Sequence, residues 1–229
     1  MDKIIQVTGV QAVGSAGAVK ASFRADLSVT HLLSAAMFSR AAGEIESANA
    51  GQPLGDFWDG LQAQALASVL TAIAGLEAFA NELFFDHARI FPDLRLDVMA
   101  KLWELYEQKP ILEKYDFALL LRTGSSFDRG SQRYQDVAAL IKLRNGLTHY
   151  KPEWSDQQVE HAKISNALKN KAIKSPFFPS TESLFPRAWA SHESTKWAVT
   201  SVASFIQDFE HRAGLETRIG PYVTRLAAV

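Results

Sequence analysis

The chain contains no cysteine, which removes disulfides, thiolate metal sites and cysteine nucleophiles and leaves the redox compartment open. It also lacks a charge excess. The formal net charge is -1 and the pI about 6.6, so no global cationic field exists to capture nucleic acid, and an RNA or DNA partner would have to meet a local patch. The opening Met-Asp-Lys-Ile-Ile-Gln-Val has no cationic start followed by an apolar core, so it does not read as a signal peptide. No long run is free of polar residues. The most apolar one, Ala63 to Ala80, is interrupted by Gln64, Ser68, Thr71 and Glu77, and is expected to be too polar for a membrane span. These absences describe a soluble, cytoplasmic protein. His31, His87, His161, His192 and His211 stand on separate segments without ligand-like spacing, so neither a metal nor a cofactor is expected.

What is present is enough apolar material for one sizeable core: 229 residues, 47% hydrophobic and 10% aromatic. Only the start has strand character. Lys3 to Thr8 and Val19 to Arg24 partly alternate, with Gly14-Ser15-Ala16-Gly17 as turn material, which predicts a β-hairpin. Gly9 to Ser15 has a faint likeness to a phosphate loop but lacks its lysine. From Asp26 onward the period is helical. One helix is expected over about 26–48 and a long apolar one over about 56–89, followed by helices near 94–107, 110–121, 134–150 and 155–171. A last helix should start near Ser191 and stop at Gly214. Ala72, Gly75, Ala78 and Ala80 on the long helix lack bulk, so a neighbouring helix can approach closely. The fold class is therefore all-α, a bundle of four to five core helices with a small N-terminal hairpin. The organisation reads as an extension (1–25), a helical core (26–154), a partly helical irregular insertion (155–190), a C-terminal core helix (191–214) and a tail (215–229).

The chemistry-bearing stretch is Leu140 to Trp154, where an apolar helical run delivers Arg144, Asn145 and His149 before Lys151-Pro152 stops the helix. Five residues put Arg144 and His149 about 140° apart on an ideal helix, so they share no face. Gly146 and Pro152 weaken helix regularity, and the pair makes most sense at a helix end or at a seam between two subunits. Arginine forks onto phosphate oxygens and offsets transition-state charge, while histidine moves a proton near neutral pH. Together they suit metal-free RNA cleavage, in which a 2′-hydroxyl attacks the adjacent phosphate. The plain structural alternative is an ion pair for Arg144 and a helix-capping role for His149.

Arg144-Asn145-Gly146-Leu147-Thr148-His149 resembles the signature of the HEPN superfamily: an arginine, a polar residue, then a histidine after four to six intervening residues. Its flanks, Leu140-Ile-Lys-Leu and Tyr150-Lys-Pro-Glu, resemble the usual surroundings. Leu76-Glu77-Ala78-Phe79-Ala80-Asn81-Glu82 is similar to the glutamate-bearing central helix of many members. The resemblance covers about 26–154 and extends to the final helix. It implies a HEPN-like bundle that homodimerises and brings two motifs into one composite site, acting either as a metal-independent ribonuclease in toxin, defence or RNA-processing systems or as a non-catalytic module that binds nucleotide, RNA or protein. Under it, Arg144 and His149 are the catalytic candidates, Asn145 the supporting polar residue, and Glu77 the group that orients Arg144. It also brings a cognate antitoxin of nucleotidyltransferase type into view as a partner. In such systems the tyrosine usually stands two residues after the histidine; here Tyr150 follows immediately.

Arg122, Arg129 and Arg133, which flank the loop before the motif helix, and Tyr150 and Lys151 after it, are the candidates for RNA or phosphate contact. Glu77 and Asn81 lie one turn apart on the most apolar helix. A carboxylate there needs a cationic partner, and Arg144 is the expected one. Lys163, Lys169, Lys171 and Lys174 read as a solvated helix end or, less simply, as a backbone-binding run. The five tryptophans read as core or interface packing.

Overall fold

The computed structural model describes residues 7–15, 18–154 and 156–229. Helices dominate. Strands β1 (Val7–Ser15) and β2 (Ala18–Ala25) pair antiparallel, with Ser15 opposite Ala18 and an irregularity between Val7 and Val10. The expected hairpin is therefore present, with the first strand displaced towards the turn; its predicted start at Lys3 to Gln6 and the turn residues Ala16 and Gly17 lie outside the described residues. Gly9 to Ser15 is extended strand leading into a second strand, so the likeness to a phosphate loop fails: no helix N-terminus follows to receive a phosphate.

Helices α1 (Ser28–Ala48) and α2 (Phe57–Phe85) form the hub. Their seam is built from small residues: Ala35, Ala36, Ala65 and Ala72 are all fully buried. At Gly75 a Cβ would stand 2.9 Å from Leu32 Cγ and 3.0 Å from the Ser28 carbonyl oxygen, so the backbone of α1 lies nearly against that of α2. By length and composition an 18-residue stretch of α2 is apolar enough to cross a membrane, contrary to the expectation from its polar interruptions. Half of that stretch is buried within the bundle, as a central helix requires, and the arrangement is compatible with a soluble protein.

The remaining elements are α3 (His87–Ile90), α4 (Leu96–Tyr106), α5 (Ile111–Thr123), α6 (Gln132–Thr148), α7 (Glu160–Leu168), α8 (His192–Arg212) and α9 (Val223–Ala227). Helix α8 packs on α1, α2 and α6, and its aromatic face (Phe205, Phe209) meets Phe79 and Tyr115 in the core. Ser191 caps it, accepting from the Ser194 N–H at 3.1 Å, as its sequence implied. The segment expected as a tail instead folds back: Ile219 and Leu226 are buried, and α9 packs on α1 and α8. Helix α7 is shorter than expected, because Glu153 rather than residue 155 prepares its start. The Glu153 carboxylate accepts from the N–H groups of Glu160 (2.9 Å) and His161 (3.0 Å), and these bonds hold its pKa below the usual carboxylate value.

A second polar knot fixes the N-terminal end of the hub. Glu82, near the end of α2, accepts from the Leu27 and Ser28 N–H groups (2.9 Å each) and from Ser28 Oγ (2.6 Å), so it caps α1 from a neighbouring helix. Arg218 neutralises that carboxylate at 2.5 Å, and Arg24 ties the hairpin to Asp86 at 2.6 Å. Lys171 and Lys174, read as part of a solvated run, are structural as well. Lys171 pairs with Asp136 at 2.5 Å, and Lys174 donates to the carbonyls of Pro179, Ser180 and Glu182, closing the loop that precedes α8.

Candidate functional site

Helix α6 is continuous through Gly146 and ends at His149, whose N–H donates to the Asn145 carbonyl at 2.9 Å. Gly146 does not loosen the helix as its sequence suggested. It is a point of close approach: a Cβ there would fall 2.4 Å from Ile164 Cδ1 and 3.4 Å from the Phe185 ring, so the 160–188 segment presses on this face of α6. Since α6 stays helical, Arg144 and His149 diverge around its axis by about the 140° that its period dictates. Asn145 and His149, four residues apart, share an exposed face, while Arg144 turns back towards α2.

On α2, Glu77 receives Arg144: Nη2 stands 3.7 Å from Oε2, with the arginine side chain 25% exposed and the glutamate 44%. The expected Glu77–Arg144 pair is thus present, but the carboxylate is half open to solvent rather than buried. The contact is an ion pair beyond hydrogen-bond length, and Arg144 Nε is buried without a hydrogen-bond partner. Among the described residues the His149 ring forms no hydrogen bond, so it does not cap the helix's last carbonyls. The donors of both motif side chains are uncommitted.

Lys114 was missed in the sequence. From α5 it donates to Asn81 Oδ1 at 2.9 Å and feels the charge of Glu77, so Asn81 is held by Lys114, and Glu77 by Arg144 with Lys114 at longer range, rather than by each other. Burial pushes the Lys114 ammonium below its ordinary pKa, with Glu77 and Glu107 partly opposing the shift. A signal for it existed: Ile111, Tyr115, Ala118 and Leu119 define the buried stripe of α5, and position 114 falls on that stripe.

The phosphate candidates fall into separate places. Arg129 pairs with Asp116 at 3.3 Å, and Arg133 reaches Asp208 (3.2 Å) and Ser204 Oγ (3.0 Å); both remain more than half exposed. Arg122 turns inward, where Nε donates to the Ala213 carbonyl (3.1 Å) and Nη1 to that of Ile90 (2.8 Å). Tyr150 is half exposed and stacks on His161 with ring centroids 5.5 Å apart, and His161 Nε2 donates to the Lys151 carbonyl at 2.9 Å. The chain leaving the motif is therefore clasped to α7. Trp154 is 80% exposed and takes no part in the core, which leaves only the interface half of its expected packing role, whereas Trp58 and Trp189 are buried in the core. Among the described residues no three His, Asp or Glu side chains converge as a metal-holding group would.

The chain matches no protein-family model, no curated protein and no solved structure. What the fold and the site define is a mainly helical bundle in which a helix end exposes an asparagine and a histidine beside a partly buried arginine that a central-helix glutamate braces.

Proposed function

We propose that the chain is a HEPN-like endoribonuclease that acts as a homodimer without a catalytic metal, in a toxin, defence or RNA-processing setting. One observation carries the reading: Arg144 is held by charge against Glu77 while its hydrogen-bond donors stay unspent, at the helix end that exposes Asn145 and His149. In this reading the Arg144 fork takes the non-bridging oxygens of a phosphodiester and offsets the charge that builds there. His149 transfers a proton as the 2′-oxygen bonds to phosphorus and the bond to the 5′-oxygen breaks, giving a 2′,3′-cyclic phosphate and a free 5′-hydroxyl. Asn145 donates to the substrate, and Glu77 positions Arg144. The wide angle between Arg144 and His149 favours a composite site in which a second copy supplies a complementary pair. The exposed Tyr150 and Trp154 beside the motif offer aromatic surface either for that copy or for a nucleobase.

The alternative is a non-catalytic module that binds nucleotide, RNA or a protein partner. The Glu77 contact favours it to one extent, since it partly neutralises the arginine a phosphate would need. Purified protein incubated with RNA in excess EDTA separates the two. The nuclease reading expects cleavage that leaves 2′,3′-cyclic ends, together with a dimer by light scattering. Intact RNA at every pH between 5 and 9 would leave only the binding module.

A further inference from the structure

A cavity of about 330 Å³ lies where the ends of several helices meet, away from the motif. Its floor is apolar and rigid: Phe79 and Leu83 from α2 and Ile90 from α3, all buried. Its volume lies at the lower end of small-molecule sites, roughly 300–1,000 Å³, and it is partly open to solvent. Its charged lining decides what could sit there. Glu210 is spent within the rim, accepting from Thr217 Oγ1 and from the Arg218 N–H at 2.6 Å each. Arg218 pairs through Nη2 with Glu82 and Asp26, while its Nη1 is buried without a hydrogen-bond partner, and Glu216, exposed at the rim, adds a second carboxylate to the lining.

Arg122 is different. Two of its arms are fixed on the neutral carbonyls of Ala213 and Ile90, and among the described residues no carboxylate lies within ion-pair distance of it. Ala213 follows the last turn of α8 and Ile90 closes the four-residue α3, so Arg122 satisfies carbonyls that those helix ends leave open. These bonds leave its Nη2 arm without a hydrogen bond beside a cavity that is apolar on its floor and charged at its rim. Arg89, 62% exposed and only loosely paired with Asp86 at 3.8 Å, adds a second cation to the lining.

We infer that this cavity binds a small organic anion, with its carboxylate or phosphate on Arg122 and Arg89 and its apolar body on Leu83 and Ile90. The site does not depend on the motif chemistry. Isothermal titration of the full chain with phenyl phosphate, benzoate, inorganic phosphate and benzamidine tests it. Saturable one-site binding is expected for at least one aromatic anion, about tenfold or more tighter than for inorganic phosphate, and none for the cation benzamidine. Comparing benzoate with phenyl phosphate shows whether a carboxylate or a phosphate is preferred. Arg122→Gln should weaken binding about tenfold or more. Because that change also removes two carbonyl contacts, Leu215→Trp, which fills the cavity and keeps Arg122, provides the second variant and should abolish binding. The inference is overturned if neither aromatic anion binds saturably, if benzamidine or inorganic phosphate binds as tightly, or if Leu215→Trp leaves binding unchanged.

Discussion

Gly75→Ala places a methyl group in the tightest part of the α1–α2 seam. In a helix interior the substitution should gain about 1 kcal/mol from propensity. Here the new Cβ would lie 2.9 Å from Leu32 Cγ and 3.0 Å from both Leu32 Cδ2 and the Ser28 carbonyl oxygen. Leu32 is fully buried, and Ser28 is backbone in the first turn of α1, held by the Glu82 cap, so neither gives way cheaply. Overpacking of this kind costs about 1–3 kcal/mol, and moving Ser28 would also strain the cap. The net expectation is a loss of about 1–2 kcal/mol, or a fall in Tm of about 3–6 °C for a chain of this size. Gly60→Ala, in the same helix, is the internal control. Its Cβ would meet only Ile45 Cδ1 at 3.6 Å, so the propensity gain of about 0.5–1 kcal/mol should survive. Urea denaturation of both variants measures the difference. If Gly75→Ala is as stable as Gly60→Ala, the close approach of α1 to α2 is wrong.

Other expectations follow from single contacts. Glu77→Gln should cost under about 1 kcal/mol of stability, because the pair is long and partly solvated, yet lower RNA cleavage about tenfold if Glu77 positions Arg144; calorimetry and a cleavage assay read the two separately. Lys114 has a folded pKa below its unfolded value, so its ammonium costs stability at neutral pH. That cost fades as pH rises from the lowered folded value towards 10.5, and Lys114→Met should remove this rise from denaturation midpoints measured between pH 7 and 10. Leu226→Ala should destabilise by about 2 kcal/mol or more in urea denaturation, since Leu226 is buried against the bundle; an unchanged midpoint would mean that α9 does not pack.

Periodicity carried much of the fold. The apolar repeats of α1, α2, α6 and α8 and the small-residue stripe on α2 reported real packing, and Glu77 found the cation that a carboxylate on so apolar a helix demands. The failures share one cause, contacts between residues far apart in sequence. Residues 215–229 looked like a tail because Ile219 and Leu226 are too few to show a period, yet Glu210 and Glu82 anchor that segment through Thr217 and Arg218. Gly146 suggested a weakened helix because nothing nearby in sequence reveals Ile164 pressing on it. Arg122, Arg129 and Arg133 looked alike as loop-flanking cations, but carbonyls contributed by α3 and the end of α8 set Arg122 apart. Asn145 and His149 were readable as residue types at a helix end; whether their face meets a second copy depends on surfaces that no local pattern encodes.

The most direct test of the proposed chemistry is the single-turnover cleavage rate of a short RNA in EDTA by the native chain, by His149→Ala and by His211→Ala. His211 is the better control than His161, which is buried against Tyr150 and Phe185, because it is exposed at the end of α8. Loss of a general acid–base group predicts a fall of about 100-fold or more for His149→Ala, with an unchanged circular dichroism spectrum and a native rate for His211→Ala. Equal rates for the native chain and His149→Ala would contradict the assignment of the motif as the catalytic centre.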